Sequence, residues 1–242
     1  MWPPSVACNR PAVDPLSLSS LEIDQVLRYM GCPPGQAEPS LRKTVEECAG
    51  ELLAAIRPRW VSRVFSLSFE ADGVRLDNGL LLPGQDLKHH LAGCTQAALF
   101  ALTLSAQADA CIRRAESRDM LRALALDCCA SQAVEQLCDQ AEAILQSQFP
   151  GCFFPYRFSP GYGDLPLTLQ GDLLQLLDAP RKIGLCATAS HLLTPRKSVT
   201  ALMGVSQAPV APAARSCVNC PGAHSCQYRK SGGHCGISNS SQ

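Results

Sequence analysis

The sequence contains no run of 18 apolar residues, so no segment is expected to span a membrane. It has no surplus of charge either. Lys+Arg 21 balance Asp+Glu 21, which argues against a general nucleic-acid or membrane-surface binder. A P-loop, a dinucleotide GxGxxG, an HExxH and a GxSxG are all missing, and with them the usual enzyme signatures. The opening Met1-Trp2-Pro3-Pro4-Ser5 lacks a basic stretch and an apolar run, so no secretory signal is expected and the cytoplasm is the expected compartment. At 242 residues the chain is long enough to bury a real core as one large or two small domains, without disulfide staples.

One further absence is local. No acidic residue follows Asp178, while Arg181, Lys182, Arg196, Lys197, Arg215, Arg229 and Lys230 do, so an acidic front of −7 precedes a basic back of +7. That basic stretch suits docking to an acidic partner.

What is abundant is cysteine, 14 in all. In a reducing compartment cysteines pack cores, bind metals or do redox work rather than form structural bridges. Cys8, Cys32, Cys48, Cys94, Cys111, Cys128, Cys129, Cys138, Cys152 and Cys186 are scattered among Leu and Ala, where a thiol packs as a small apolar group. The neighbours Cys128 and Cys129 would point about 100° apart on a helix, which favours packing over a redox pair. Cys217, Cys220, Cys226 and Cys235 differ, because they lie in a Gly/Ser/Pro-rich segment with spacing C-x2-C-x5-C-x8-C. Four thiolates suit tetrahedral zinc or an iron–sulfur cluster, and the spacing leaves the metal open.

Along the chain, Ser19 and Glu22 form a capping box ahead of Ile23, Val26, Leu27 and Met30, and Ser40 can cap a second helix that Pro58 ends. From Val61 the period becomes two, as in a half-buried strand, and turn signals bracket a hairpin of Val74-Arg75-Leu76 with Leu80-Leu81-Leu82. Asp86 to Phe149, rich in Ala, Leu and Gln, is expected to hold two or three helices. A further helix is expected over Leu167–Leu177, and strands over Lys182–Ala189 and Ser198–Val205. Residues 1–206 then form one domain, 207–216 an extended linker and 217–242 a Cys-rich tail.

The most unusual loop is Tyr156-Arg157-Phe158-Ser159-Pro160-Gly161-Tyr162-Gly163-Asp164-Leu165-Pro166. Gly161 and Gly163 allow a planar group or a carboxylate close to the main chain, and Arg157 can grip a carboxylate with two parallel hydrogen bonds. The plainer alternative is a rigid surface turn. His90 and Cys94, at i and i+4, read as packing or as half of a metal pair.

Here the sequence resembles a family. RFSPGYGDLP, followed from Ile183 by IGLCATASHLLTPRKSVTALMGVS, is similar to the activation domain of cobalamin-dependent methionine synthase, in a stand-alone form. Arg157, Gly161, Tyr162 and Pro166 match its R-x-x-x-G-Y-P-A-x-P loop, and Ile183, Gly184, Thr188, Ser190, Pro195, Ser198 and Val199 match its second motif. Gly163, Asp164 and Ala189 depart from the pattern. The resemblance implies an α+β fold, a curved antiparallel sheet flanked by helices. It also implies S-adenosylmethionine as ligand, with Arg157 on the methionyl carboxylate, Gly161 and Tyr162 along the nucleoside, and Gly163, Asp164 and Ser190 beside them. Asp164, Asp127 and Glu135 are candidates for the ligand's amino group, although Asp164 can equally cap the helix near Leu167. His191 stands in the second motif and either contacts the cofactor's face or packs.

The implied partners are a methionine synthase or other corrinoid protein that carries cobalamin, and a flavodoxin-like or ferredoxin-like electron donor. Two rivals stand beside this reading: a reductive activator of another corrinoid methyltransferase using a tail cluster, and a scaffold that has lost its ligand.

Overall fold

A computed structural model describes residues 16–33 and 35–210, and the chain divides after Val210. The four tail cysteines and Cys8 lie outside the described residues. The first unit contains α1 (Ile23–Tyr29), α2 (Pro39–Ala55), β1 (Arg59–Phe69), β2 (Gly73–Leu76), β3 (Leu81–Pro83), α3 (Gln85–His90), β4 (Gln96–Thr103), α4 (Ala106–Glu116) and α5 (Met120–Ser147). A 3-10 turn (Leu167–Leu169), α6 (Gln170–Leu177), α7 (Ala179–Ile183), β5 (Cys186–Ala187), β6 (Leu193–Thr194) and β7 (Ser198–Val205) follow.

The main sheet has the order β3-β2-β1-β4-β7, antiparallel throughout. β1 is long enough to serve two ladders: Arg59 to Ser66 pair with β4, and Leu67 to Phe69 pair with β2. Residues of β4 alternate between two cores. Ala98, Phe100 and Leu102 face a core built with α1, α2, α4 and α5, whereas Ala97, Leu99 and Ala101 face one built with α3, α6 and α7. The result is a curled antiparallel sheet with helices on both faces, the expected α+β class.

β4 corrects the sequence reading, in which its residues lay inside a helical stretch. A strand buried on both faces has no polar side to alternate with, and QAALFALT is composed of good helix formers, so periodicity and propensity both misread it. The strand expected over Lys182–Ala189 also shrinks. Pro180 opens α7, Gly184 ends it in a left-handed conformation at φ 70°, and only Cys186–Ala187 pair, with β6. Neither expected serine cap is used: Glu22 and Glu38 stand at the caps of α1 and α2 without side-chain capping bonds, and Pro39 opens α2. α2 ends at Ala55, ahead of Pro58, and β1 begins at Arg59 rather than Val61. The hairpin and the last strand are where the sequence puts them.

Of the nine described cysteines assigned to packing, Cys48, Cys94, Cys111, Cys128, Cys129 and Cys138 are buried, Cys32 and Cys152 half-buried, and Cys186 exposed. Cys186 is therefore not a core residue. It sits at the edge of a two-residue strand that presents little surface for packing.

Candidate functional site: a buried arginine among three carboxylates

The loop after α5 runs along the free edge of β7. Phe158 and Leu202 exchange both backbone hydrogen bonds at 2.8 Å, and Phe153 and Ser206 do the same at 2.8 and 2.9 Å. These two bridges fix the backbone on either side of Arg157. Phe158 turns into the α6 core, and Arg157 turns toward α5, where it is 5% exposed.

Three carboxylates of α5 meet it there. Arg157 donates through Nη2 to Glu135 at 2.5 Å and through Nη1 to Asp139 at 2.8 Å and to Glu142. The spacing 135, 139, 142 places all three on one helix face. Burial works against the guanidinium's charge, but the carboxylates, Glu142 foremost, outweigh it and hold its pKa above the ordinary arginine value. One cation among three anions leaves a net charge of −2. Asp139 is 68% exposed and Glu142 17%, so the cluster opens to solvent on the Asp139 side.

The rest of the loop is held against α3. Gly161 N–H donates to the Leu165 carbonyl at 2.8 Å, which closes the turn, and Tyr162 stands exposed with its ring 6.0 Å from Phe158. Asp164 accepts from the N–H groups of Gln85 (2.6 Å) and Asp86 (3.1 Å), so it caps α3 and not the helix it precedes in sequence. The fit is reciprocal. A Cβ on Gly163, which has φ 50°, would stand 2.4 Å from Asp86 Oδ2, and one on Gly84 would stand 2.3 Å from Asp164 Oδ1.

His90, at the end of α3, packs on Tyr156 and Phe158 and has Nε2 2.8 Å from the Tyr156 carbonyl. Facing a carbonyl, that nitrogen carries the proton. Burial lowers the His90 pKa, and the bond to Tyr156 offsets this only in part. Cys94 is buried, its thiol pushed up to about 11, and no group of three or more His, Cys, Asp or Glu side chains arranged to hold a metal ion occurs among the described residues. The pair is packing.

Of the residues expected to act together, Arg157 and Glu135 meet directly. Gly161, Tyr162, Gly163 and Asp164 form the adjoining turn. Ser190 stands elsewhere, at the tip of the β5–β6 hairpin, 2.9 Å from Thr188 Oγ1, and His191 takes φ 62° in the same turn. Asp127 is paired with Lys197 Nζ at 2.9 Å. Asp139 and Glu142 escaped the sequence reading, although their spacing from Glu135 was a usable signal on a helix.

Among solved structures the chain is similar to the MetH reactivation domain bound to AdoHcy, with a TM-score of 0.61 and 16% identity over 86% of this chain and 79% of that one. The chain has the fold of the MetH reactivation domain. No family model and no curated protein matches it. The curled sheet with helices on both faces thus belongs to a known architecture, and it carries the loop along β7 and the Arg157 cluster. No described helix is long and apolar enough to cross a membrane.

Proposed function

We propose that this chain is a stand-alone S-adenosylmethionine-binding reactivation module that supports reductive methylation of the cobalamin of a separate methionine synthase. The observation that carries this reading is the buried Arg157 among Glu135, Asp139 and Glu142, on the fold of a domain whose solved structure holds AdoHcy. A methionyl group brings a carboxylate and an ammonium, and this cluster has the complement of each. The ligand carboxylate takes Arg157 from Asp139, its most exposed partner, and the Asp139 carboxylate so freed accepts the ammonium. A net −2 also favours a ligand that carries a sulfonium. Gly161 and Tyr162 line the nucleoside, with Gly163 and Asp164 beside them in the same turn; Ser190, on the β5–β6 hairpin, stands outside this set.

Bound S-adenosylmethionine would supply a methyl cation and leave as S-adenosylhomocysteine, once one electron from a flavodoxin-like or ferredoxin-like donor had reduced the partner's one-electron-oxidised cobalamin. This chain's own residues bind and orient. Cytoplasmic location, a linker over 207–216 and zinc or an iron–sulfur cluster on Cys217, Cys220, Cys226 and Cys235 complete the proposal.

Titration calorimetry with S-adenosylmethionine tests it. Wild type is expected to bind, and Arg157→Ala to bind at least tenfold more weakly, the weight of a charge-assisted hydrogen bond of about 1.5–3 kcal/mol. Asp139→Asn, at a largely exposed site, provides a folded variant with altered affinity should Arg157→Ala not fold. A second reading, a scaffold without ligand, draws on one observation: both terminal nitrogens of Arg157 and both oxygens of Asp164 are already engaged. Absence of binding by folded wild type decides for the scaffold.

A further inference from the structure

An open cleft of about 610 Å³ lies between α1, α5 and the corner entering β7, a volume in the range of small-molecule sites. Tyr29, Leu124 and Val134 form its apolar wall, while Asp127, Ser131 and Glu135 follow one another at four-residue steps along α5. The corner contributes two cations, Arg196 and Lys197, and they are not equivalent.

Lys197 Nζ lies 2.9 Å from Asp127 Oδ1 and donates to the Asp127 carbonyl and to Ser131 Oγ, both at 3.0 Å. Its three protons are spent, and Asp127 has its counter-ion. Arg196 is the opposite case. Its guanidinium is 66% exposed and approaches Asp127 no closer than 3.9 Å, beyond hydrogen-bond distance. Its main chain, by contrast, is fixed: the Arg196 N–H donates at 2.9 Å to Oδ2 of Asp109, a buried carboxylate of α4. An exposed guanidinium whose nearest anion among the described residues is Asp127, at 3.9 Å, thus stands at one end of the cleft.

At the other end Glu135 gives Oε2 to Arg157, and its Oε1 accepts no hydrogen bond among the described residues. Eight residues of helix, about 12 Å, separate Asp127 from Glu135. The occupant this arrangement selects is elongated, with an anionic group for Arg196, a flat body for the Tyr29 wall and an amino or hydroxyl donor for Glu135. We propose that the cleft is a second ligand site, for a molecule of the nucleoside monophosphate class, with its phosphate on Arg196.

Calorimetric titration with AMP, adenosine and inorganic phosphate tests this on the full chain. AMP is expected to bind at least tenfold more tightly than adenosine, and more tightly than inorganic phosphate. Arg196→Ala, a substitution at an exposed side chain that keeps the Asp109 bond, is expected to remove that preference, and Arg196→Lys to restore part of it. The S-adenosylmethionine affinity of Arg196→Ala is expected to equal that of wild type. Equal binding of AMP and adenosine, no AMP binding, or AMP binding indifferent to Arg196 overturns the proposal. So does parallel loss of AMP and S-adenosylmethionine, which would mean one site instead of two. If S-adenosylmethionine fails to bind wild type while the AMP pattern holds, the reactivation reading falls and the second site stands.

Discussion

At the scale of single residues, His90 couples the loop to the acidity of its surroundings. Its folded pKa lies below the ordinary value because burial penalises the imidazolium. The unfolded chain therefore binds more protons than the folded one below the unperturbed histidine pKa of about 6.5. Stability is lost as pH falls from there toward the lower folded value. The thermal midpoint of wild type is expected to drop more between pH 7 and pH 5 than that of His90→Gln, which cannot be protonated; equal slopes in a thermal-melt series would refute this.

Residue-level legibility was uneven. Arg157 stands out in the sequence because glycines and prolines surround it, but its partners come from a helix many residues earlier, and only the folded chain brings Glu135, Asp139 and Glu142 to it. The sequence allows His90 as a metal ligand, but in the fold its Nε2 faces the Tyr156 carbonyl.

At the scale of elements, the contact between the loop and α3 is the one most open to measurement. Asp164 satisfies two N–H groups at the start of a six-residue helix that has no cap of its own. Asp164→Ala is expected to lower stability by about 1 kcal/mol, the usual cost of a lost cap, seen as a lower urea midpoint with an unchanged slope. The sequence made Asp164 visible as a capping residue but could not say which helix it caps, because its target lies 78 and 79 residues away. The β2–β3 hairpin was legible for the opposite reason, since its pairing is local and its turn residues announce it. β4 was not. Its identity follows from being covered twice, and no window of residues contains the covering.

At the scale of the whole molecule, the two cores meet through β4, and the clustered thiols Cys48, Cys128, Cys129 and Cys138 all lie in the core built with α5. Burial pushes Cys94 to about 11 and Cys129 and Cys138 to about 12, so almost none of each is thiolate at pH 8. Among the described cysteines, exposed Cys186 is expected to react first with iodoacetamide at that pH, and the buried six only when the domain unfolds. Peptide mass mapping over a urea series checks this. Labelling of Cys48, Cys128, Cys129 and Cys138 in separate steps would show that the α5 core does not open as one unit.

The loop along β7 has a consequence for how the molecule behaves in company. β7 is the last strand of the sheet, and among the described residues its outer edge is bridged at Leu202 by Phe158 and, just past the strand, at Ser206 by Phe153. SVTALMGV, apolar and without charge, is the kind of edge on which a second chain can add a strand. The segment that holds Arg157 in place is thus also the guard of that edge. Loosening it would open that edge to self-association.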